Sequence, residues 1–341
     1  MKTSLLLALA SILLIFSSCN SHSTQESGTA AFAFRTDQFL GEQDEPTIRI
    51  AAIRGPTALG LLQLMHRHEL GNTYNNYSFE LVGSPEQIPP MLVQGNIDIA
   101  AVPANLASIL YNRPDIDIQV LAIVTLGVLH VVDTFGDITS IACLAGRTIF
   151  VPGQGATPEF ALNYILEKNG LTPHEDVYIE FRSEPAEIAA LLETGRAQTA
   201  LLPEPFVSTA LARIDGLNLV LCLTYEWNRV QPDYGLIMSV VIGRRSFIDE
   251  NPSALAVLLE EYAASINFMT TNITEAAELA AQFEIIPSVE VAKTALPRTN
   301  ITFITGHTMK QNLMGFYTVL YNQSPQAVGG RLPDENAFFI P

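Results

Sequence analysis

Several short stretches of this chain gather residue types that hold small molecules. Gly153-Gln154-Gly155-Ala156-Thr157 is glycine-rich and leads into Pro158, a residue suited to the first turn of a helix. Arg54-Gly55-Pro56-Thr57, Gly83-Ser84, Pro103-Ala104-Asn105, Ser183-Glu184 and Pro203-Glu204-Pro205 are comparable turns between apolar runs. Backbone N–H groups at a helix start, with the positive end of its dipole, favour a carboxylate, sulfonate or phosphate. A polar heterocycle can use the same donors. The candidate ligand-binding residues are therefore Arg54, Gly55, Thr57, Ser84, Asn105, Gln154, Gly155, Ala156, Thr157 and Glu204, with Trp227 as a stacking surface. Each also has a plainer reading. The glycines can make only a tight turn, and Arg54 can be a surface charge. Glu204 can cap the helix that follows it, and Trp227 can be a core residue.

Catalytic and metal chemistry find little support. The glycine-rich stretch fails GxGxxG because Pro158 takes the third glycine position, and no lysine follows to make a P-loop. Neither CxxC nor HExxH occurs, and His66 and His68 are spaced to lie on different faces of a helix. No GxSxG or Ser-His-Asp order is visible. The expectation is a binding protein with no catalytic residues, no metal and no cofactor.

The elements that must position these loops repeat after one hundred residues. Gly55, Thr57, Gly95, Pro103 and Ser108 answer Gly155, Thr157, Gly195, Pro203 and Ser208. So long a period marks a duplicated domain rather than a solenoid, and a cleft between two lobes is a preferred ligand site. Strands are expected near 47–53, 77–82, 97–102, 148–151, 177–181, 199–202, 217–223 and 236–242, with a strand-rich stretch at 119–132 broken at Gly127. Helices are expected at 58–70, 85–94, 104–111, 158–169, 185–193, 205–212, 252–270, 274–283 and 307–321. This alternation predicts an α/β fold of two lobes, a parallel doubly wound sheet in each, joined by two crossover hinges near 132–140 and 226–236. Ligands then sit outside the carboxyl ends of the strands, where the loops above lie.

The ends and the composition set the compartment. Lys2, the apolar run 5–16 and Ser17-Ser18-Cys19 read as an export signal with a lipidated Cys19. The organisation expected is signal peptide 1–18, lipidated cysteine and tether 19–45, first lobe 46–132, second lobe 133–235, and a return to the first lobe over 236–341. A net charge of −17 argues against nucleic acid. Cys143 and Cys222 lie in apolar runs, and two buried thiols are expected rather than a disulfide.

On residues 49–60, on Leu92-Val93-Gln94-Gly95-Asn96-Ile97-Asp98-Ile99-Ala100-Ala101-Val102-Pro103, on Leu144-Ala145-Gly146-Arg147-Thr148 with Gly153 to Pro158 and on Leu201-Leu202-Pro203-Glu204-Pro205-Phe206, the chain resembles a known family. It is that of bacterial ABC-transporter substrate-binding lipoproteins, in the group taking sulfonates, nitrate, taurine or the thiamine pyrimidine precursor. The resemblance covers about residues 46–333. It implies a periplasmic-binding-protein-like fold of type II. It further implies an extracytoplasmic, monomeric clamp anchored to the membrane, which hands a small-molecule ligand to an ABC permease and its ATPase. One departure is that Arg54 is the single strong cation of the loops, against the carboxylates Glu184 and Glu204, which leaves room for an organic or heterocyclic ligand. Two rival functions are a sensor lipoprotein and an enzyme of the same fold from thiamine-pyrimidine or menaquinone synthesis. The cysteine-rich CCCFC motif of the pyrimidine synthase does not occur here.

Overall fold

The structure is a computed structural model that describes residues 46–341. The expected signal peptide, Cys19 and the tether lie outside the described residues. The chain begins β1 (Ile48–Ile53), α1 (Pro56–Leu59), α2 (Leu62–Glu69), β2 (Tyr77–Val82), α3 (Ile88–Val93), β3 (Ile99–Pro103), α4 (Ala104–Tyr111) and β4 (Ile118–Leu126). It continues through β5 (Leu129–Asp133), β6 (Thr148–Pro152), α5 (Thr157–Lys168), β7 (Tyr178–Arg182), α6 (Pro185–Glu193), β8 (Thr199–Pro203), α7 (Phe206–Arg213), β9 (Asn218–Cys222) and α8 (Leu223–Val230). The last part runs β10 (Ile237–Arg244), α9 (Arg245–Glu250), α10 (Pro252–Thr271), α11 (Ile273–Gln282), α12 (Val289–Ala295), β11 (Ile301–Ile304) and α13 (Gly306–Gln323).

Two sheets result, ordered β11-β4-β10-β3-β1-β2 and β7-β6-β8-β5-β9. Setting β11 aside, the strands β2-β1-β3-β10-β4 of one answer β7-β6-β8-β5-β9 of the other. The hundred-residue echo is therefore a repeat of β1 to β4 as β6 to β9, with Gly95 and Gly195 at φ of 68° and 70° ending equivalent helices.

The sheets are mixed, not wholly parallel. β10 runs antiparallel to β3 and β4, and β5 runs antiparallel to β8 and β9. The cause is the route of the chain. β4 ends at the cleft and passes through Gly127-Val128 directly into β5, which must then run away from the cleft. β10 enters the first sheet from the same side. Without an intervening helix the chain cannot return parallel. The first crossing thus lies at Gly127-Val128, not near 132–140. β5, which a boundary at residue 132 assigned to the first lobe, already pairs Leu129 with Pro203 and Asp133 with Thr199. The second crossing follows α8, within the expected 226–236 span. α8, α9, α12 and β11 lay outside the expected elements.

The helix expected at 58–70 is broken into α1 and α2. Ser265 of α10 inserts its hydroxyl there, donating to the Gly60 carbonyl at 2.7 Å and accepting from Leu64 N–H at 3.0 Å. Those are the groups an uninterrupted helix would pair with each other.

One buried cluster covers a face of each sheet and runs through Val128, Trp227, Leu236 and Phe316. A second buries the other face of the first sheet under α2, α10, α11 and α12, and a third packs α6 and α7 on the second sheet. Cys143 and Cys222 are unpaired and half-buried, rather than fully buried.

Candidate functional site

The carboxyl ends of β1, β3, β6 and β8 meet at a seam between the lobes. Asn105, at the start of α4, reaches across it. Its Nδ2 donates to the Gly155 carbonyl at 3.2 Å, and its Oδ1 accepts from Thr157 Oγ1 at 3.1 Å. Asn105 and Thr157 are both buried. Gly55 also faces the second lobe, since a Cβ built on it would stand 3.9 Å from the Phe206 ring.

Glu204 is fully buried at the end of β8. It accepts from Ser208 N–H at 3.1 Å, from the Ser208 hydroxyl at 3.0 Å and from Arg298 Nη1 at 3.3 Å. It is both a helix-start acceptor and the partner of a cation from the other lobe. Burial pushes its carboxyl above the usual range, against the pull of Ser208 and Arg298.

The crossing itself is clasped from both sides. Glu204 N–H donates to the Val128 carbonyl at 3.0 Å, and Leu126 N–H donates to the Asn300 carbonyl at 3.0 Å. The Asn300 side chain donates to the Gly127 carbonyl. Gly127 admits no side chain, because a Cβ there would fall on the Thr224 hydroxyl and within 3.1 Å of Thr224 Cβ.

Polar groups without partners flank this crossing. Thr125 is fully buried, and its Oγ1 finds no hydrogen bond among the described residues. It pairs in register with Ser239, whose hydroxyl lies 3.4 Å from Thr57 Oγ1. His130, 7% exposed, has an unpartnered Nδ1. Burial, with the nearby Arg298 guanidinium, lowers its pKa to about 4, so the ring is neutral at pH 7. Thr224 Oγ1 is likewise buried and unpartnered. Each such group costs about 1–3 kcal/mol when left unsatisfied, and Thr125, His130 and Thr224 bring three of them to the crossing.

Other expected donors are already committed. Gly155 N–H donates to Glu159 Oε2 at 2.6 Å. Gly83 and Ser84 N–H groups donate to Gln87 Oε1 at 2.8 and 3.2 Å. The expectation of free backbone donors is therefore corrected at Gly83, Ser84 and Gly155, whose N–H groups are satisfied by side chains three or four residues on, while α1, α4 and α5 start without a side-chain cap. Arg54 is exposed and has no ion-pair partner among the described residues. Gln154 is exposed too, Ser84 and Ala156 are half-buried, and Gln154 lines a cavity of about 470 Å³ with Phe181, Arg182, Ser183 and Glu187.

Trp227 does not join the loops. It is fully buried, its N–H donates to the Tyr234 carbonyl at 2.7 Å, and its ring lies 5.0 Å from Tyr164 and 5.8 Å from Phe316. It is a core residue that ties α8 to α5 and α13. A larger cavity of about 920 Å³ opens beside it, between α5, α13 and Tyr234. Exposed Glu167 and Lys168 line that cavity, and none of the loop residues does, so the buried polar seam and not the larger hollow is the candidate site. Among the described residues no cluster of three or more His, Cys, Asp or Glu is placed to hold a metal.

Arg298, His130, Thr125 and Ser239 were not among the expected site residues. Two of them left a trace. Thr125 and His130 are the polar interruptions in an otherwise apolar run from Val120 to Val132, with Gly127 between them. Arg298 lies where no element was expected, and nothing in its surroundings in sequence points to Glu204.

Residues 141–284 match the NMT1-like family. A comparison with curated protein sequences gave no match. Among solved structures, an ABC transporter from Parabacteroides distasonis superposes with a TM-score of 0.71 at 23% identity, covering 86% of this chain and 98% of that one. The alkanesulfonate-binding protein SsuA from Xanthomonas axonopodis pv. citri, bound to MOPS, gives 0.65 at 14% identity over 86% and 96%. The periplasmic nitrate-binding protein NrtA from Synechocystis PCC 6803 gives 0.58 at 15% identity over 73% and 69%. The chain has the two-lobed α/β fold of ABC-transporter periplasmic binding proteins, and its second lobe with the following helices matches the NMT1-like family.

Proposed function

We propose that this protein is the solute-binding component of an ABC importer, closing its two lobes on a small organic molecule at the seam. The observation that carries this reading is the seam itself. Equivalent strand ends of two duplicated lobes face each other, and Asn105 and Arg298 of one lobe reach Gly155, Thr157 and Glu204 of the other. A ligand touching both lobes shifts an open–closed equilibrium by its differential affinity for the two forms. Export, lipidation at Cys19 and delivery to a permease and its ATPase complete the proposal. The anchor keeps the clamp close to its permease and raises the effective concentration. The alkanesulfonate- and nitrate-binding neighbours lend support to a solute-binding role. No helix among the described residues is long and apolar enough to cross a membrane.

The test is a thermal-shift screen over sulfonates, nitrate, thiamine precursors, riboflavin and aromatic acids, with small-angle scattering on every hit. At about one hundred times its dissociation constant a ligand adds about 2.7 kcal/mol. The expected result is stabilisation with compaction. Hits that stabilise without any compaction count against the clamp. Cys19→Ala is expected to move the protein from the membrane fraction to the soluble one, and a variant that still sediments wholly with membranes rules out the anchor.

A further inference from the structure

The hollow of about 920 Å³ beside Trp227 has no part in the clamp, and its lining has a chemistry of its own. The end of α5 and the stretch after α8 form one wall. The other is a single face of α13, from His307 to Gln323. At 1.5 Å per residue that face is about 24 Å long. The volume lies at the upper end of the range for small-molecule sites, about 300–1,000 Å³. The hollow therefore has room for an elongated ligand laid along the helix.

Part of the lining is an aromatic ring laid flat. A Cβ on Gly315, in the middle of α13, would stand 2.3 Å from Cγ of Tyr234 and 2.4 Å from its Cδ1 and Cδ2. Only a point over the ring face is so nearly equidistant from those three atoms, so Tyr234 rests face-down on the helix. Glycine weakens a helix interior relative to alanine, and here it is what admits the ring. One face is taken by the helix. The other face and the hydroxyl, which has no hydrogen bond among the described residues, are left to the hollow that Tyr234 lines.

Four carboxamides share the lining, Gln231, Gln311, Asn322 and Gln323. A carboxamide donates and accepts side by side. The Gln323 amide is closed off from water, and neither its nitrogen nor its oxygen finds a partner among the described residues. A turn of that flexible side chain into the hollow offers both atoms to a ligand. The charges are paired or screened. Lys310 donates to Glu335 at 2.8 Å, Lys168 lies 5.4 Å from the centre of the Tyr164 ring, and Glu167 and His307 are exposed to water. A flat ring beside neutral donor–acceptor pairs suits a sugar, which presents C–H groups on its face and hydroxyls around its rim. The length of the hollow suits several sugars in a row.

We propose that this hollow is a second binding site, separate from the seam, and that it takes a short neutral oligosaccharide. Tyr234 is its stacking platform, and Asn322 and Gln323 contact the hydroxyls. The assignment stands apart from the reading of the seam as a clamp.

The experiment is calorimetric titration of maltotriose, cellotriose, triacetylchitotriose, glucose and trigalacturonate into the parent protein. At least one neutral trisaccharide is expected to bind with a dissociation constant below about 1 mM, and glucose about tenfold or more weakly. Tyr234→Leu and Asn322→Ala are each expected to lower the trisaccharide affinity about tenfold. Asn322 is exposed, so its variant decides should Tyr234→Leu fail to fold. No binding by any of the three neutral trisaccharides overturns the proposal. So does binding that both variants leave unchanged, since the sugar then sits elsewhere. Trigalacturonate binding more tightly than every neutral probe overturns the neutral class, and glucose binding as tightly as the trisaccharides overturns the oligosaccharide. The seam is judged separately, by compaction with its own ligand.

Discussion

His130 gives the seam a measurable dependence on pH. Its folded pKa of about 4 lies below the free value of about 6.5, so folding favours the neutral ring. That stabilisation is complete above pH 6.5 and is lost as pH falls through 4, by about 3 kcal/mol in all. Glu204 pulls the other way, because its carboxyl is raised and the folded state there holds a proton more readily. The two are separated by difference. Urea unfolding of the parent and of His130→Gln, followed from pH 7 to pH 4, should show the acid loss shrinking by about 3 kcal/mol in the variant. Parallel curves for the two proteins would mean that the ring is solvated. The polar breaks in the run from Val120 to Val132 were legible as sequence, yet their meaning was not. A buried imidazole and a satisfied surface one look alike until Arg298, far along the chain, is placed beside it.

Between elements, the lobes are joined at α4 and α5. Asn105 makes two hydrogen bonds there, one to a carbonyl and one from a hydroxyl. Asn105→Ala leaves Thr157 Oγ1 and the Gly155 carbonyl without that partner, so the closed form should lose about 1–3 kcal/mol relative to the open one. Scattering should show a larger radius of gyration, with the melting temperature falling modestly. An unchanged radius would place the hinge stiffness elsewhere, in the clasp of Gly127 and Val128 by Asn300 and Glu204. Strands and most helices were readable from apolar period and glycine stops, since those signals are local. The split between α1 and α2 was not, because the Ser265 hydroxyl that causes it comes from α10. Strand direction failed for a similar reason: β10 and β5 take their sense from the side on which the chain enters a sheet, which no local pattern records.

At the scale of the molecule, Trp227 is a rivet rather than a ligand platform. It is the chain's one tryptophan, and its ring packs between Tyr164 of α5 and Phe316 of α13. Its emission should be blue-shifted in the folded protein and unmoved by ligand. Trp227→Ala should cost about 3–5 kcal/mol in urea unfolding while leaving affinity intact. Loss of affinity with stability preserved would return Trp227 to the binding site. The exchange of strands at the crossings also has a consequence for how the chain is made. The second sheet draws on β5 to β9 alone, a continuous stretch that opens with β5, the strand that joins β8 to β9. The first sheet cannot join β3 to β4 until β10 has emerged and slipped between them. During synthesis, then, the strands of the later-encoded sheet are all available first, while β2-β1-β3 waits as one fragment and β4 as a lone strand, their edges open to pairing with the wrong strand.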